Sequence, residues 1–184
     1  MRILFLSHYF PPEVNAPATR TYEHCRQWVR DGHQVTVVTC APNHPQGRVY
    51  EGYRNRIYQR ETKDGISVVR IWTFVTANEG FLKRTLNYIS YLCSAVLVSL
   101  FLPKADIVLS TSPQFFNGLA GYFVSKLRRI PWVLEIRDLW PESIVAVGAI
   151  KSPVIISLLE WIERFAYRKA DWIVPVTDSF KTYM

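Results

Sequence analysis

Four charges fall within eight residues in the run EIRDLWPE: Glu135, Arg137, Asp138 and Glu142. They follow the apolar run Trp132–Ile136, so they stand where a strand would end. A carboxylate at such a place can take a proton or hold ligand hydroxyls. Arg137 and Asp138 could equally form an internal ion pair with a structural role. A second cluster is the loop HYFPPEVNAPATR, from His8 to Arg20, which leads from a strand-like run into a helix. Free N–H groups and the dipole at a helix start favour an anion, and Thr19 and Arg20 add a hydroxyl and a charge. The plainer reading is a proline-stiffened turn that caps the helix. Thr111-Ser112-Pro113-Gln114 is a third such place. There Ser112 is either an N-cap with Pro113 as the first helical residue, or a substrate contact.

Other chemistries lack their residues. His8, His24, His33 and His44 show no metal-ligand spacing, and no Gly-x-Gly-x-x-Gly or Walker A run occurs. His8, at the end of the first strand-like run, is the histidine that suits a pocket. Cys25, Cys40 and Cys93 are odd in number and widely spaced, so neither a disulfide framework nor a zinc site is indicated. No bound cofactor is expected.

These clusters need elements to position them, and the order of elements predicts a doubly wound α/β fold with a mainly parallel sheet and helices on both faces. Strand-like runs are Arg2–His8, Gln34–Thr39, Ile66–Trp72, Asp106–Ser110, Trp132–Arg137 and Trp172–Val176. Ile57–Thr62 precedes the third of these as a hairpin arm across Lys63-Asp64-Gly65. Helices are expected over Ala18–Asp31, stopped by Gly32, and over Phe81–Leu102. Another follows Ser112-Pro113, with core face Phe116, Leu119, Ala120, Phe123 and Leu127. Gly118 and Gly121 would let it lie close to the sheet. A long amphipathic helix after Ser152-Pro153 carries the stripe Ile155, Leu158, Leu159, Ile162, Phe165 and Ala166, with Glu160 and Arg164 paired on its other side. Ser179 starts a further helix. Ligands of such sheets bind beyond the carboxyl ends of the strands, where all three clusters lie.

The 184 residues suit one domain of ordinary size, 49% hydrophobic and 20% charged. A net charge of +7 admits nucleic acid, a membrane surface or phosphorylated substrates as partners. The basic residues are spread over several elements without interleaved aromatics, which argues against nucleic acid. Lys83-Arg84 beside the apolar run Tyr88–Leu102 suits an anionic lipid surface, although such a run is also a common core helix. That run is short for a bilayer span, and the first residues do not form a signal peptide. A cytoplasmic protein fits best, with peripheral contact to the inner face of the cytoplasmic membrane and a plain core helix as even alternatives for that run.

The segments YFPPEVNAPATRTYEHCRQWVRDGHQVTVVT, TSPQ and VLEIRDLWPESIVAVGAI resemble the N-terminal domain of retaining glycosyltransferases of family four. The resemblance covers essentially the whole chain. It is closest to the capsule, O-antigen and colanic-acid type, which includes N-acetylfucosamine transferases. It implies half of a GT-B fold: residues 1–184 as the Rossmann-like acceptor-side domain, with the donor-binding domain absent from this chain. The implied reaction transfers a hexosyl or N-acetylhexosaminyl group, with retention and without a metal, from a nucleotide-sugar to a polyprenyl-diphosphate-linked saccharide. The cytoplasmic membrane surface is a further candidate partner. Asp138 matches the His-or-Asp position near the reacting sugar, with Arg137 and Glu142 as supports or acceptor contacts. His8, Tyr9, Arg20, Thr111 and Ser112 complete the candidate acceptor or substrate set. Asn15, Ala16 and Thr19 stand in the loop that approaches the donor diphosphate, where the family often has glycine. Asn15 is expected to supply the left-handed turn there. The 184 residues alone should be inactive. Two alternatives remain open: a sugar-nucleotide epimerase of the same fold, and a non-catalytic membrane-docking module.

Overall fold

The apolar run Ile3–Leu6, entered from Arg2, forms strand β1 (Arg2–Leu6), and all of its side chains but that of Arg2 are buried. The structure, a computed structural model, describes residues 1–76, 81–112, 114–142, 148, 150 and 152–183. The strands that follow are β2 (Gln34–Cys40), β3 (Tyr58–Lys63), β4 (Ile66–Ile71), β5 (Ile107–Thr111), β6 (Trp132–Ile136) and β7 (Trp172–Pro175). The helices are α1 (Ala16–Arg30), α2 (Phe81–Ser99), α3 (Phe115–Arg128), α4 (Pro153–Lys169) and α5 (Asp178–Tyr183). Among the described residues the strands make one sheet in the order β3-β4-β2-β1-β5-β6-β7. Every pairing is parallel except the β3–β4 hairpin. This is the doubly wound α/β fold.

The hairpin turn is the two-residue Asp64-Gly65, both with positive φ, which suits the twist of the flanking strands. A Cβ on Gly65 would come within 2.8 Å of Val29 Cγ1, so space as well as φ requires glycine there.

Alternating strand residues feed two cores. Ile3, Phe5, Val35, Val37, Ile66 and Val68 pack with Cys25, Tyr22 and Trp28 of α1. Leu4, Leu6, Val38, Val69 and Leu134 point the other way, toward Tyr91, Ala95 and Val98 of α2 and Ala120 and Val124 of α3. Gly121 sets how close α3 can come: a Cβ there would lie 2.5 Å from Ser110 Oγ and collide with the Trp132 indole.

Three local expectations change. α1 begins at Ala16, two residues early, because Asn15 caps it. α3 buries Asn117, Gly118, Ala120, Gly121, Val124 and Ser125. Its Phe123 and Leu127, expected in the core, are exposed, because the two glycines rotate the small-residue face onto the sheet. On α4, Leu159 and Ala166 are buried while Ile155 and Leu158 are exposed.

Candidate functional site

Strand order reverses between β1 and β5, so the chain leaves the sheet centre in opposite directions on either side of that line. A crevice opens there beyond the carboxyl ends. His8 and Tyr9 follow β1, Thr111 and Ser112 end β5, and Glu135 to Asp138 end β6. The site is fixed from below by Asn117 of α3, whose Nδ2 donates to the carbonyls of Leu6 and Thr111, each at 2.8 Å. One amide thus ties β1 to β5 across the switch.

The first loop is held by a buried carboxylate. Glu13 accepts from the backbone N–H of Asn43 at 2.9 Å, His44 at 3.0 Å and Phe10 at 3.4 Å. Burial raises its pKa, and the three amides oppose that rise. Arg70 holds the same loop from β4, donating to the carbonyls of Pro11 and Cys40 and to Glu61. Neither residue stood out in the sequence, because their roles depend on loops far along the chain.

Asn15 is not left-handed. Its backbone is extended, at φ −143° and ψ 158°, and its Oδ1 accepts from Ala18 N at 2.8 Å. An N-cap needs that extended geometry for the side chain to reach back to the helix amides. Ala16 and Thr19 are exposed on the first turn of α1. The helix start therefore faces outward, beside an open cavity of about 310 Å³ lined by Ala16, Pro17, Arg20, Arg137, Asp138 and Val176.

The charges order themselves around this cavity. Arg20 Nη2 meets Glu135 Oε1 at 2.7 Å, and Thr111 Oγ1 donates to Glu135 Oε2 at 2.6 Å. The ion pair at this strand end is therefore Arg20–Glu135 and not Arg137–Asp138. Arg137 is half-buried, and its Nε has no hydrogen-bond partner among the described residues. Burial, then the charge of Arg20, lowers its pKa. Two guanidiniums and a helix N-terminus thus converge on one cavity, an arrangement suited to a phosphate or diphosphate. Asp138 is exposed at its edge.

Ser112 does not cap α3. The N-cap position is Gln114, and Pro113 lies outside the described residues. Ser112 Oγ instead accepts from the backbone N–H of Arg137 at 2.6 Å and Asp138 at 3.2 Å. It sets the backbone turn that presents Asp138.

His8 and Tyr9 stand on the other side of the crevice. His8 is 4% exposed, and its ring lies against those of Tyr9, Tyr88 and Tyr91 at 4.9, 5.5 and 4.9 Å. Its Nδ1 has no hydrogen-bond partner among the described residues. Burial, then the nearby His44, pushes its pKa down to about 3, so the ring is neutral at physiological pH. His8, Tyr9, Asn43, His44, Arg84, Asn87 and Tyr88 line a narrow cavity. Desolvation raises the Tyr9 pKa, so its hydroxyl stays protonated.

Glu142 is exposed and does not join the cavity of Arg20 and Arg137. A different glutamate turns inward. Glu163 of α4 is buried and accepts from Tyr167 Oη at 2.7 Å. With Ser112, Asp138 and Trp140 it lines a small apolar cavity, and burial raises its pKa. Its position inside an amphipathic stripe was the one sequence signal available. Among the described residues no group of three or more His, Cys, Asp and Glu could hold a metal ion.

Comparison with known proteins adds two findings. The glycosyl transferase 4-like domain matches residues 15–184. The protein assigned as the colanic acid biosynthesis glycosyl transferase WcaI of Escherichia coli (strain K12) is 26% identical over 189 aligned positions. The alignment covers 97% of this chain and 45% of that protein, so the chain spans less than half the length of its relative.

Proposed function

Because the chain belongs to the glycosyl transferase 4-like domain family, we propose that it is the acceptor-side half of a two-domain sugar-nucleotide glycosyltransferase. The donor-binding half would follow it, consistent with the greater length of the relative. The proposed reaction breaks the anomeric C–O bond to the nucleoside diphosphate and forms one to an acceptor hydroxyl, with retention. The sugar is a hexosyl or N-acetylhexosaminyl group. The acceptor is a saccharide on polyprenyl diphosphate at the cytoplasmic membrane face, in surface polysaccharide synthesis.

The observation that carries this reading is the convergence of Arg20, Arg137 and the α1 N-terminus on one open cavity with Asp138 at its edge. Charge develops on the leaving diphosphate as the bond breaks. Donors already fixed in place stabilise it without reorganisation. Glu135 fixes Arg20, and Thr111 in turn fixes Glu135. Asp138, presented by Ser112, orients or polarises the reacting groups. His8 and Tyr9 form a neutral aromatic wall suited to the apolar face of a sugar. The rate then comes from positioning and electrostatics.

The test is transfer by the full-length protein with a panel of nucleotide-sugars and a polyprenyl-diphosphate acceptor. Asp138→Asn should lower kcat by about 10²–10³, with a smaller change in KM. The 184-residue chain alone should transfer nothing. A fully active Asp138→Asn enzyme, or transfer by the isolated chain, would overturn the assignment of roles.

A further inference from the structure

The side of α2 turned away from the sheet is apolar along its whole length. Leu82, Leu86, Ile89, Cys93 and Leu97 are exposed at spacings of three and four, so they form one stripe. Leu100 and Phe101 continue it beyond the helix, and Phe101 is 82% exposed. The inward side, with Tyr91, Ala95 and Val98, is apolar too. A helix that is apolar all round normally has both sides covered. α3 lies beside α2 and adds the exposed Phe123 and Leu127. These are several large exposed apolar side chains gathered on two neighbouring elements, more than the scattered single ones that any protein carries.

Charge says what covers them. From Phe81 to Arg129 the sequence has a single acidic residue, Asp106, against six cations. Asp106 is held by Arg2 at 2.6 Å. Lys83 stands at one end of the stripe; Lys104, Lys126 and Arg129 are exposed toward the other. Arg128 donates to the carbonyls of Ser99, Leu102 and Pro103, which pins the end of α2 and the segment carrying Phe101 against α3. No described helix is long and apolar enough to cross a membrane. An apolar stripe rimmed by cations and free of carboxylates suits a helix lying flat in an anionic lipid interface.

We propose that the outward face of α2, with Leu100, Phe101, Phe123 and Leu127, is the surface on which this protein seats on an anionic membrane. The inference rests on the membrane-side reading given above and names the surface that carries it. Arg84, Asn87 and Tyr88 of the same helix line the cavity of His8 and Tyr9. The seated helix would therefore hold one wall of the site next to the lipid headgroups, where a lipid-linked acceptor resides.

Co-sedimentation of this chain with vesicles of phosphatidylcholine and phosphatidylglycerol tests it. The chain should bind mixed vesicles, less so as salt rises, and should bind pure phosphatidylcholine weakly. Leu97→Glu with Phe101→Glu should cut binding by about tenfold or more. Leu86→Ser with Ile89→Ser, at the other end of the stripe, should weaken it as well and serves if the first pair disturbs folding. Binding unchanged in both pairs would overturn the proposal. So would a chain that ignores vesicles and forms a dimer split by Leu97→Glu, which would make the partner a second copy. In the full-length protein, the Leu97→Glu, Phe101→Glu pair should leave transfer to a water-soluble acceptor analogue unchanged. Loss of vesicle binding with that transfer intact separates this surface from the reaction; absence of transfer in the unaltered protein would count against the reaction alone.

Discussion

α1 and α2 cover opposite faces of the same sheet, and each turns a seam of small or apolar residues inward. On α1 the seam is Ala18, Thr21 and Cys25; on α2 it includes Tyr91, Ala95 and Val98. Their outward sides differ. α1 shows Ala16, Thr19, Glu23, Gln27 and Arg30 to solvent, while α2 shows Leu82, Leu86, Ile89, Cys93 and Leu97 at similar spacing. The inward seam follows from the sheet and would be needed on any doubly wound fold. The outward side reports what lies beyond the helix. The difference continues into the site. The α1 end borders a cavity with Arg20, Arg137 and Asp138, and the α2 end borders one walled by the aromatic rings of His8, Tyr9 and Tyr88, with Arg84 as its one arginine among the described residues.

The largest expected effect separates the two sides of α2. Tyr91 is fully buried, and its hydroxyl donates to Val38 O at 2.8 Å. Tyr91→Ala should cost about 3–5 kcal/mol through the lost contacts and the cavity left behind. Ile89→Ala, two residues away on the outward side, should stay within about 0.5 kcal/mol. Urea unfolding of both variants checks this. Equal losses would mean that the stripe is packed against something in the free chain.

A smaller effect separates the two ends of the crevice. His8 titrates at about 3 in the folded chain, against an ordinary value near 6.5. The unfolded chain therefore binds the proton first as pH falls. Stability from this group is full above pH ~6.5 and is lost as pH drops toward 3, by about 2–3 kcal/mol between pH ~6.5 and ~4.5. His8→Gln should flatten that part of the curve of Tm against pH. A curve of unchanged slope would mean that the imidazole is not held neutral by burial.

The fold was legible because period and punctuation agree. Asp64-Gly65 marks the hairpin, Gly32 stops α1, and apolar runs alternate with helical stripes along the chain. What failed locally was choosing a face by side-chain size. On α3 the large Phe123 and Leu127 looked like core, yet Gly118 and Gly121 let the backbone approach and turned the small face inward. In the site, the structure brings Arg20, Thr111, Ser112, Arg137 and Asp138 together around the end of β6. The partners did not follow from position. Glu135 bonds residues 115 and 24 positions away, and Glu13 reaches Asn43 across a loop. Such pairings depend on how separate elements stack, which local spacing does not encode. Glu163 stayed hidden because a glutamate within a helix stripe usually faces water.

The smallest predicted effect asks whether the start of α1 serves the helix or the ligand. Asn15 Oδ1 caps Ala18 N, while its Nδ2 is buried with no hydrogen-bond partner among the described residues. Asn15→Ala should cost about 1 kcal/mol, a fall in Tm of a few degrees. Asn15→Asp keeps the accepting oxygen, removes the unpaired donor and adds a negative charge favoured by the helix dipole, so Tm should hold or rise. That same charge sits beside the cavity of Arg20 and Arg137, where it would oppose an anion. Binding of a nucleoside diphosphate to the full-length protein should therefore weaken severalfold in Asn15→Asp while stability does not. If stability and affinity fall together, the cap is structural only. If affinity alone falls, the charged end of α1 is a ligand surface.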